Sequence, residues 1–460
     1  MTETILNGSA LDEVIDVPTA APGSRTKPEK KLITDVPIPP PDDPDIFDPA
    51  CDPDHPVRVG YQEVLDAQKR IEGGIIRTQC KKSSLSKAFG MNVYLKLDFQ
   101  QVTGSFKERG ARNLLLQLSE EQRRTGIIAS SAGNHALAIA YHGGKLGIPV
   151  TVVMPKTAPL VKVENCKNLG AEVLLVGEDM GEAKPYALKL AKINNLLYVN
   201  GFDHPQIIAG QGTVGIEILE QVPNVDAIVV SVGGGGLIAG VAAVVKALKP
   251  TVQVIGAETN RCAAFAASFA AKKLVYTKCE PTIADGLSVP IVGCNSLCTS
   301  LGLVDKMVSV DEAYVHRAIV QLLEVEKFVV EGAGATGLAA IMAGLLPELK
   351  GKTVVPILSG GNIDTTVLSH VIERGLAFEG RLCTFTVVVS DRPGAIAKLC
   401  DLLGKLGVSI KDIFHERAFL VSSVYSCQIR CVAETKGHDH AKLLKQTLER
   451  EYSDVSWGSY

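Results

Sequence analysis

Between residues 57 and 378 the chain alternates short aliphatic and β-branched runs with longer stretches rich in Ala, Leu and Lys. Residues 127–130, 150–154, 227–231, 252–255 and 353–358 are apolar at nearly every position. That pattern suits strands buried on both faces, as in a parallel sheet, rather than strands with one wet face. Residues 328–330 read as a further short strand. The stretches between them are long enough for helices that cover both faces. The alternation therefore predicts an α/β fold of parallel sheets flanked by helices. Several Gly- or Ser-bearing motifs fall just after these runs, and strand carboxyl ends are where open α/β sheets place their ligands.

The pattern restarts near Arg381. Residues 382–389 read as a strand, Asp391-Arg392-Pro393-Gly394 as a turn, and Ile396, Leu399, Leu403 and Leu406 as the apolar stripe of a helix. Strands at 408–414 and 421–431 and a helix at 440–450 complete a βαββαβ order. Residues 380–460 are thus expected to form a separate α+β domain beside a core of residues 56–379. Residues 1–55 carry Pro37, Pro39, Pro40, Pro41 and Pro44, many Asp residues and few apolar anchors. Such a segment buries too little surface to offset its ordering entropy and is expected to be mostly disordered.

Composition narrows the function. The 460 residues carry a formal net charge of −3 and no basic stripe, which argues against nucleic acid as a partner. The longest apolar stretches, around 237–245 and 338–346, fall short of the ~20 residues that span a bilayer. The acidic N-terminus has no apolar signal core, so a cytoplasmic location is expected. The eleven cysteines lack metal-site spacing and read as reduced thiols.

Four segments carry chemistry: Ser105-Phe106-Lys107-Glu108-Arg109-Gly110, Ser131-Ala132-Gly133-Asn134-His135, the run Gly233, Gly234, Gly235, Gly236, and Ser359-Gly360-Gly361-Asn362. A lysine is ordinarily just solvated; as a nucleophile it needs desolvation or a neighbouring cation to lower its pKa. Arg109 is positioned either to supply that field or to pair with a carboxylate. Four successive glycines between a strand and a helix allow their N–H groups to converge on a phosphate; a tight strand-to-helix turn is the alternative, but four glycines exceed what a turn needs. Gly332-x-Gly334-x-x-Gly337 fits a dinucleotide pattern but lacks a compelling acidic residue beyond it, and is read as close helix packing.

Together, in this order, the four segments resemble the pyridoxal 5′-phosphate enzymes of the threonine dehydratase and serine racemase family, a two-lobed fold called type II. The resemblance implies that Lys107 forms the Schiff base with the cofactor and is the base at the substrate Cα. It places Phe106, Asn134, the glycine run and Ser359 at the cofactor: the glycines on its phosphate, Asn134 on its phenolic oxygen, Ser359 on its pyridine nitrogen. Ser131, Ala132, Gly133 and His135 would hold the substrate carboxylate, with Glu331 near the substrate. The implied reaction is deaminating β-elimination of L-threonine to 2-oxobutanoate and ammonia, or of L-serine to pyruvate and ammonia.

Two departures from the racemase pattern matter. Ala132 stands where racemases resembling this chain carry a second serine, the base on the opposite face of Cα. Glu258 matches one metal-binding carboxylate of those racemases, but Ala264 stands at the second, so no metal is expected and Glu258 is a weak candidate. The last 80 or so residues resemble an ACT domain. That implies an amino-acid effector at Asp391, Pro393 and Gly394, with a branched-chain amino acid as the candidate, and a homo-oligomer. Serine racemase, cysteine synthase and a non-catalytic amino-acid sensor are the alternatives.

Overall fold

The computed structural model describes residues 32–40, 43, 46–418, 420 and 423–458. Its larger part holds β1 (Cys80–Lys82), β2 (Asn92–Lys96), β3 (Ile127–Ser130), β4 (Val150–Met154), β5 (Glu172–Leu175), β6 (Leu197–Tyr198), β7 (Ala227–Ser231), β8 (Gln253–Thr259), β9 (Lys306–Val310) and β10 (Thr353–Pro356). One lobe is built on a four-stranded sheet in the order β5-β4-β3-β6, the other on a six-stranded sheet in the order β1-β2-β10-β7-β8-β9. Every pairing in the two sheets is parallel except that of β1 with β2.

The continuous apolar runs are continuous for the expected reason. All five residues of β7 and all five of β4 are buried, because helices cover both faces of each sheet. The helix Gly236–Leu248 follows β7 and packs Ile238, Val241 and Val245 against Ile228 and Val230. The helix Asn134–Leu146 follows β3 and packs Ala136, Ile139 and Ala140 against Ile127 and Ala129. Two of the four motifs therefore become helix N-termini at strand carboxyl ends.

Three sequence expectations shift. Residues 328–330 are not a strand; they connect the π-helical turn Leu322–Glu326 to the helix Gly332–Met342, and Phe328 packs on Phe99 at 5.3 Å between ring centroids. Lys327 ends the π-turn at φ +64, and the segment that follows pairs with no strand among the described residues. β8 is longer than expected, through Thr259, because β9 pairs along it. The cysteines are not all reduced: Cys262 and Cys279, 4.4 Å apart at Cα, are joined as a disulfide.

After the helix Thr365–Phe378 come β11 (Leu382–Ser390), β12 (Ser409–Glu416), β13 (Ser426–Glu434) and β14 (Val455–Gly458), an antiparallel sheet in the order β12-β13-β11-β14. The helices Ala395–Lys405 and His438–Glu451 pack Leu399, Leu403, Leu444 and Leu448 onto Phe385, Val387, Ile429 and Cys431, making a second core. This is the βαββαβ order that the pattern predicts, with β13 starting at Ser426; residues 421 and 422 of the expected strand lie outside the described residues.

Residues 1–31, 41, 42, 44 and 45 of the segment expected to be disordered also lie outside the described residues. Several of its described residues make contacts with the core. Ile33 exchanges hydrogen bonds with the Asn194 side chain, Tyr186 Oη donates to Thr34 O, and Val36 and Ile46 pack against the four-stranded lobe. Two apolar side chains, Val36 and Ile46, and the backbone groups of Ile33 and Thr34 hold it there.

Candidate active site

Lys107 opens the helix Lys107–Leu115, and its Nζ donates to Gly201 O at 2.6 Å. Loss of water brings its ammonium down to about 8, against the pull of the Glu331 carboxylate, which favours the charged form. An amine at that value has an appreciable neutral fraction near physiological pH, as nucleophilic and base chemistry require. The neighbours of Lys107 fix its turn from two sides. Glu108 accepts from His142 Nε2 at 3.1 Å and from the Thr103 N–H. Arg109 is fully buried and forks onto Asp98, with Nε and Nη2 each at 2.7 Å, and onto Glu217, with Nη1 at 2.7 Å and Nη2 at 3.0 Å. Lys96 Nζ donates to Glu217 at 2.6 Å, so two buried cations balance two buried anions. The alternative left open by the sequence is thereby decided: Arg109 is an anchor, and burial is what lowers Lys107.

The glycine run faces the same place. Among the described residues, none of the N–H groups of Gly233, Gly234, Gly235 or Gly236 donates to a protein acceptor. Gly235 takes φ +97, and Gly236 begins the 13-residue helix Gly236–Leu248. Free N–H groups in a nest at a helix N-terminus suit a phosphate dianion. A Cβ on Gly234 would lie 2.3 Å from the Phe202 ring, and one on Gly236 would lie 2.1 Å from Phe202 O. Phe202 follows Gly201, so one loop supports both the glycines and Lys107. Ser359 is buried, and its carbonyl accepts from the Phe106 N–H at 2.9 Å, which ties β10 to the lysine turn.

On the remaining wall Asn134 Nδ2 donates to Glu331 Oε1 at 2.6 Å, and Asn362 Nδ2 donates to Asn134 Oδ1 at 2.7 Å. Burial lifts Glu331 to about 7, Asp285 adds to the rise, and the Asn134 hydrogen bond opposes it. Glu331 can therefore hold or give up a proton near neutral pH. In the loop ahead of the helix Asn134–Leu146, the N–H of Gly133 donates to Ser131 Oγ at 3.3 Å, and those of Ala132, Asn134 and His135 have no acceptor among the described residues. Such a helix N-terminus suits a carboxylate. His135 sits beneath Gly201, its Nε2 donating to Val199 O at 3.2 Å; burial, then the charge of Lys107, lowers it to about 3 and keeps it neutral. That matches a positioning residue better than a proton donor.

Glu258 lies elsewhere. Its two oxygens accept from the N–H groups of Phe265 and Ala266 at the start of the helix Ala264–Ala271, and burial lifts it to about 7. Asp391, Pro393 and Gly394 come together in the C-terminal domain, around a cavity of about 400 Å³ shared with Arg392, Ile396 and Arg417. Arg417 Nε pairs with Asp391 at 2.8 Å there.

Gly201, Phe202 and Asn362 join the site although the sequence did not single out a role for them. A signal existed: Asn200-Gly201-Phe202 follows β6 as the glycine run follows β7, but β6 is two residues long and leaves almost no pattern. The donors fit the cofactor that the motifs imply: free N–H groups for a phosphate, a lowered lysine for an aldehyde, and a neutral or anionic wall beside them.

Comparison with known proteins agrees. Residues 71–360 match the family described as pyridoxal-phosphate dependent enzyme. The L-threonine ammonia-lyase of Thermotoga maritima is 40% identical over 391 residues, covering 85% of this chain and 97% of that protein. The processed form of threonine deaminase isoform 2 from Solanum lycopersicum superposes with a TM-score of 0.65 at 34% identity, over 70% of this chain and 95% of that one. Maize serine racemase does so with a TM-score of 0.66 at 33% identity, over 70% of this chain and 98% of that one. The chain belongs to the pyridoxal-phosphate dependent enzymes, and pyridoxal phosphate is its cofactor.

Proposed function

We propose that the enzyme deaminates L-threonine to 2-oxobutanoate and ammonia, with L-serine, giving pyruvate and ammonia, as a second substrate. The observation that carries this reading is the likeness along 97% of the Thermotoga maritima L-threonine ammonia-lyase. Pyridoxal phosphate, when bound, draws electrons from the substrate α-carbon and so acidifies its proton. Lys107 accepts that proton, its amine poised by burial. The free N–H groups ahead of the helix Asn134–Leu146 hold the substrate carboxylate, and Glu331 with Asn134 lines the wall opposite the glycines. Steady-state assays of keto-acid formation from both amino acids test the reading; no keto acid from either would sink it.

The likeness to maize serine racemase raises a second reading, and Ala132 weighs against it. Its methyl packs with the core of the four-stranded lobe and has no proton to move. L-Serine should therefore give pyruvate with little D-serine, as followed by chiral chromatography. D-Serine appearing as fast as pyruvate would restore the racemase reading. Ala132→Ser should raise racemisation relative to elimination.

Residues 380–460 are read as an ACT-like regulatory domain with an amino-acid effector at Asp391, Pro393 and Gly394. The cavity there supports this, with Gly394 at φ +92 opening the helix Ala395–Lys405 toward a carboxylate. We expect a cytoplasmic homo-oligomer; the exposed Ile413 and Phe414 on the edge strand β12 suit self-association. Deleting the chain after Glu379 should leave the cofactor bound and abolish any response to isoleucine or valine, since coupling of about 1–3 kcal/mol needs the effector to favour one state. A truncated enzyme that responds as the full chain does would move the regulatory site elsewhere.

A further inference from the structure

Residues 48–59 precede the matched family region, which begins at residue 71, yet they are hydrogen-bonded to the core. They cross the helix Cys294–Ser300. Val59 N donates to Thr299 Oγ1 at 3.0 Å, and Arg58 Nη2 donates to Leu301 O at 2.6 Å. The central contact is Asn295, which is fully buried. Its Oδ1 accepts from Val57 N at 2.6 Å, and its Nδ2 donates to Ala50 O at 2.8 Å and to Asp203 O at 2.9 Å. One side-chain amide, with both its protons used, thus joins three segments.

The third of these belongs to the active site. Gly201 O holds Lys107, and Phe202 packs beneath Gly234 and Gly236. Asp203, next in the chain, accepts at Oδ1 from Ser296 N at 2.8 Å, and Ser296 Oγ donates to Phe202 O at 3.0 Å. Gly293, which caps the same helix, donates from its N–H to Gly234 O at 3.0 Å. The helix bearing Asn295 is therefore bonded directly to the glycine run and to the loop that supports it.

We propose that Asn295 is a positioning residue for the cofactor cradle, and that residues 48–59 are a clasp that holds the Gly201–Phe202–Asp203 loop in place through it. Without this amide, Val57 N, Ala50 O and Asp203 O lose this partner together; Val57 is exposed and Ala50 half-buried, so water can serve them, but Asp203 is buried and its orphaned carbonyl is costly to leave unmet. The loop can relieve that only by shifting, and a shift displaces the Phe202 wall of the glycine run. The inference rests on pyridoxal phosphate as the cofactor and not on the choice of substrate.

A clasp coupled to the cradle must also be tightened by the cofactor, because coupling free energies are reciprocal; a tie that merely stabilises the fold need not be. Hydrogen exchange of the full-length protein, measured on the peptide spanning residues 48–59, should slow by about fivefold or more when stripped enzyme is reloaded with pyridoxal phosphate. Asn295→Ala should erase that difference and speed cofactor release, followed by absorbance, by about tenfold or more. Asn295→Asp keeps the acceptor for Val57 N but sets a carboxylate oxygen against Ala50 O and Asp203 O, and should speed release at least as much as Asn295→Ala. Exchange indifferent to cofactor in the wild-type chain would overturn the proposal without any variant. So would a folded Asn295→Ala or Asn295→Asp enzyme that releases cofactor at the wild-type rate.

Discussion

Replacing Lys107 with alanine should lower keto-acid formation by about 10⁴-fold or more. A positioned base alone contributes about 10²–10⁴-fold, and the same substitution removes the buried amine that is to hold the cofactor covalently. The two losses fall on one residue because its surroundings serve both. The turn carrying it is bolted by Glu108 on one side and Arg109 on the other, its Nζ is aimed at Gly201 O, and burial lowers its ammonium to about 8. Alanine there leaves the buried Arg109, Asp98, Glu217 and Lys96 group intact, so the fold should survive and a loss of activity should not reflect unfolding. Borohydride reduction of the wild-type holoenzyme followed by peptide mapping should put the label on Lys107. Activity within tenfold of wild type, or a label on another lysine, would end the assignment.

What could be read from the chain, and what could not, follows from the range of the interactions. β4 and β7 announce themselves because each is buried on both faces, so every position is apolar. The glycine run stands out in the sequence because four glycines in a row exceed what a turn needs. The role of Arg109 was not: whether a cation beside Lys107 is free or neutralised depends on Asp98, 11 residues away, and Glu217, 108 residues away. The role of Asn362 and the whole of Asn295 escape the sequence for the same reason, since their partners lie as far as 259 and 245 residues off in sequence. Composition is silent on how the described residues among 32–55 are held. A proline- and aspartate-rich segment reads as unable to build a core, yet it can still be fastened to one that exists, by single groups such as the carbonyls of Thr34 and Ala50. The π-turn at Leu322–Glu326 took the place of an expected approach to a strand because three apolar residues carry no period of their own.

The same long-range wiring makes Gly236→Ala the second large effect we expect, although it adds one methyl. That methyl would lie 2.1 Å from Phe202 O and 3.0 Å from Phe202 C, both backbone atoms. No side-chain rotation can relieve the contact, so either the first turn of the helix Gly236–Leu248 or the loop at Phe202 must move. Moving the helix turn swings the free N–H groups off the position a phosphate would take. Moving the loop shifts Gly201 O, which holds Lys107. Overpacking of this kind costs about 1–3 kcal/mol. Because the cost falls on the groups that hold the cofactor, its affinity should weaken by about 100-fold at the upper end of that range. Gly404→Ala is the matched control: it lies in the helix Ala395–Lys405 with nothing within 4 Å of its Cβ, and alanine there should leave cofactor affinity unchanged and stabilise the helix by about 0.5–1 kcal/mol. Titration of stripped enzyme with pyridoxal phosphate, read by the absorbance of the bound cofactor, separates the two. A folded Gly236→Ala enzyme that binds cofactor within about threefold of wild type, well under the 1.4 kcal/mol that a tenfold change represents, would mean that the glycine run is a packing device and that the phosphate is held elsewhere.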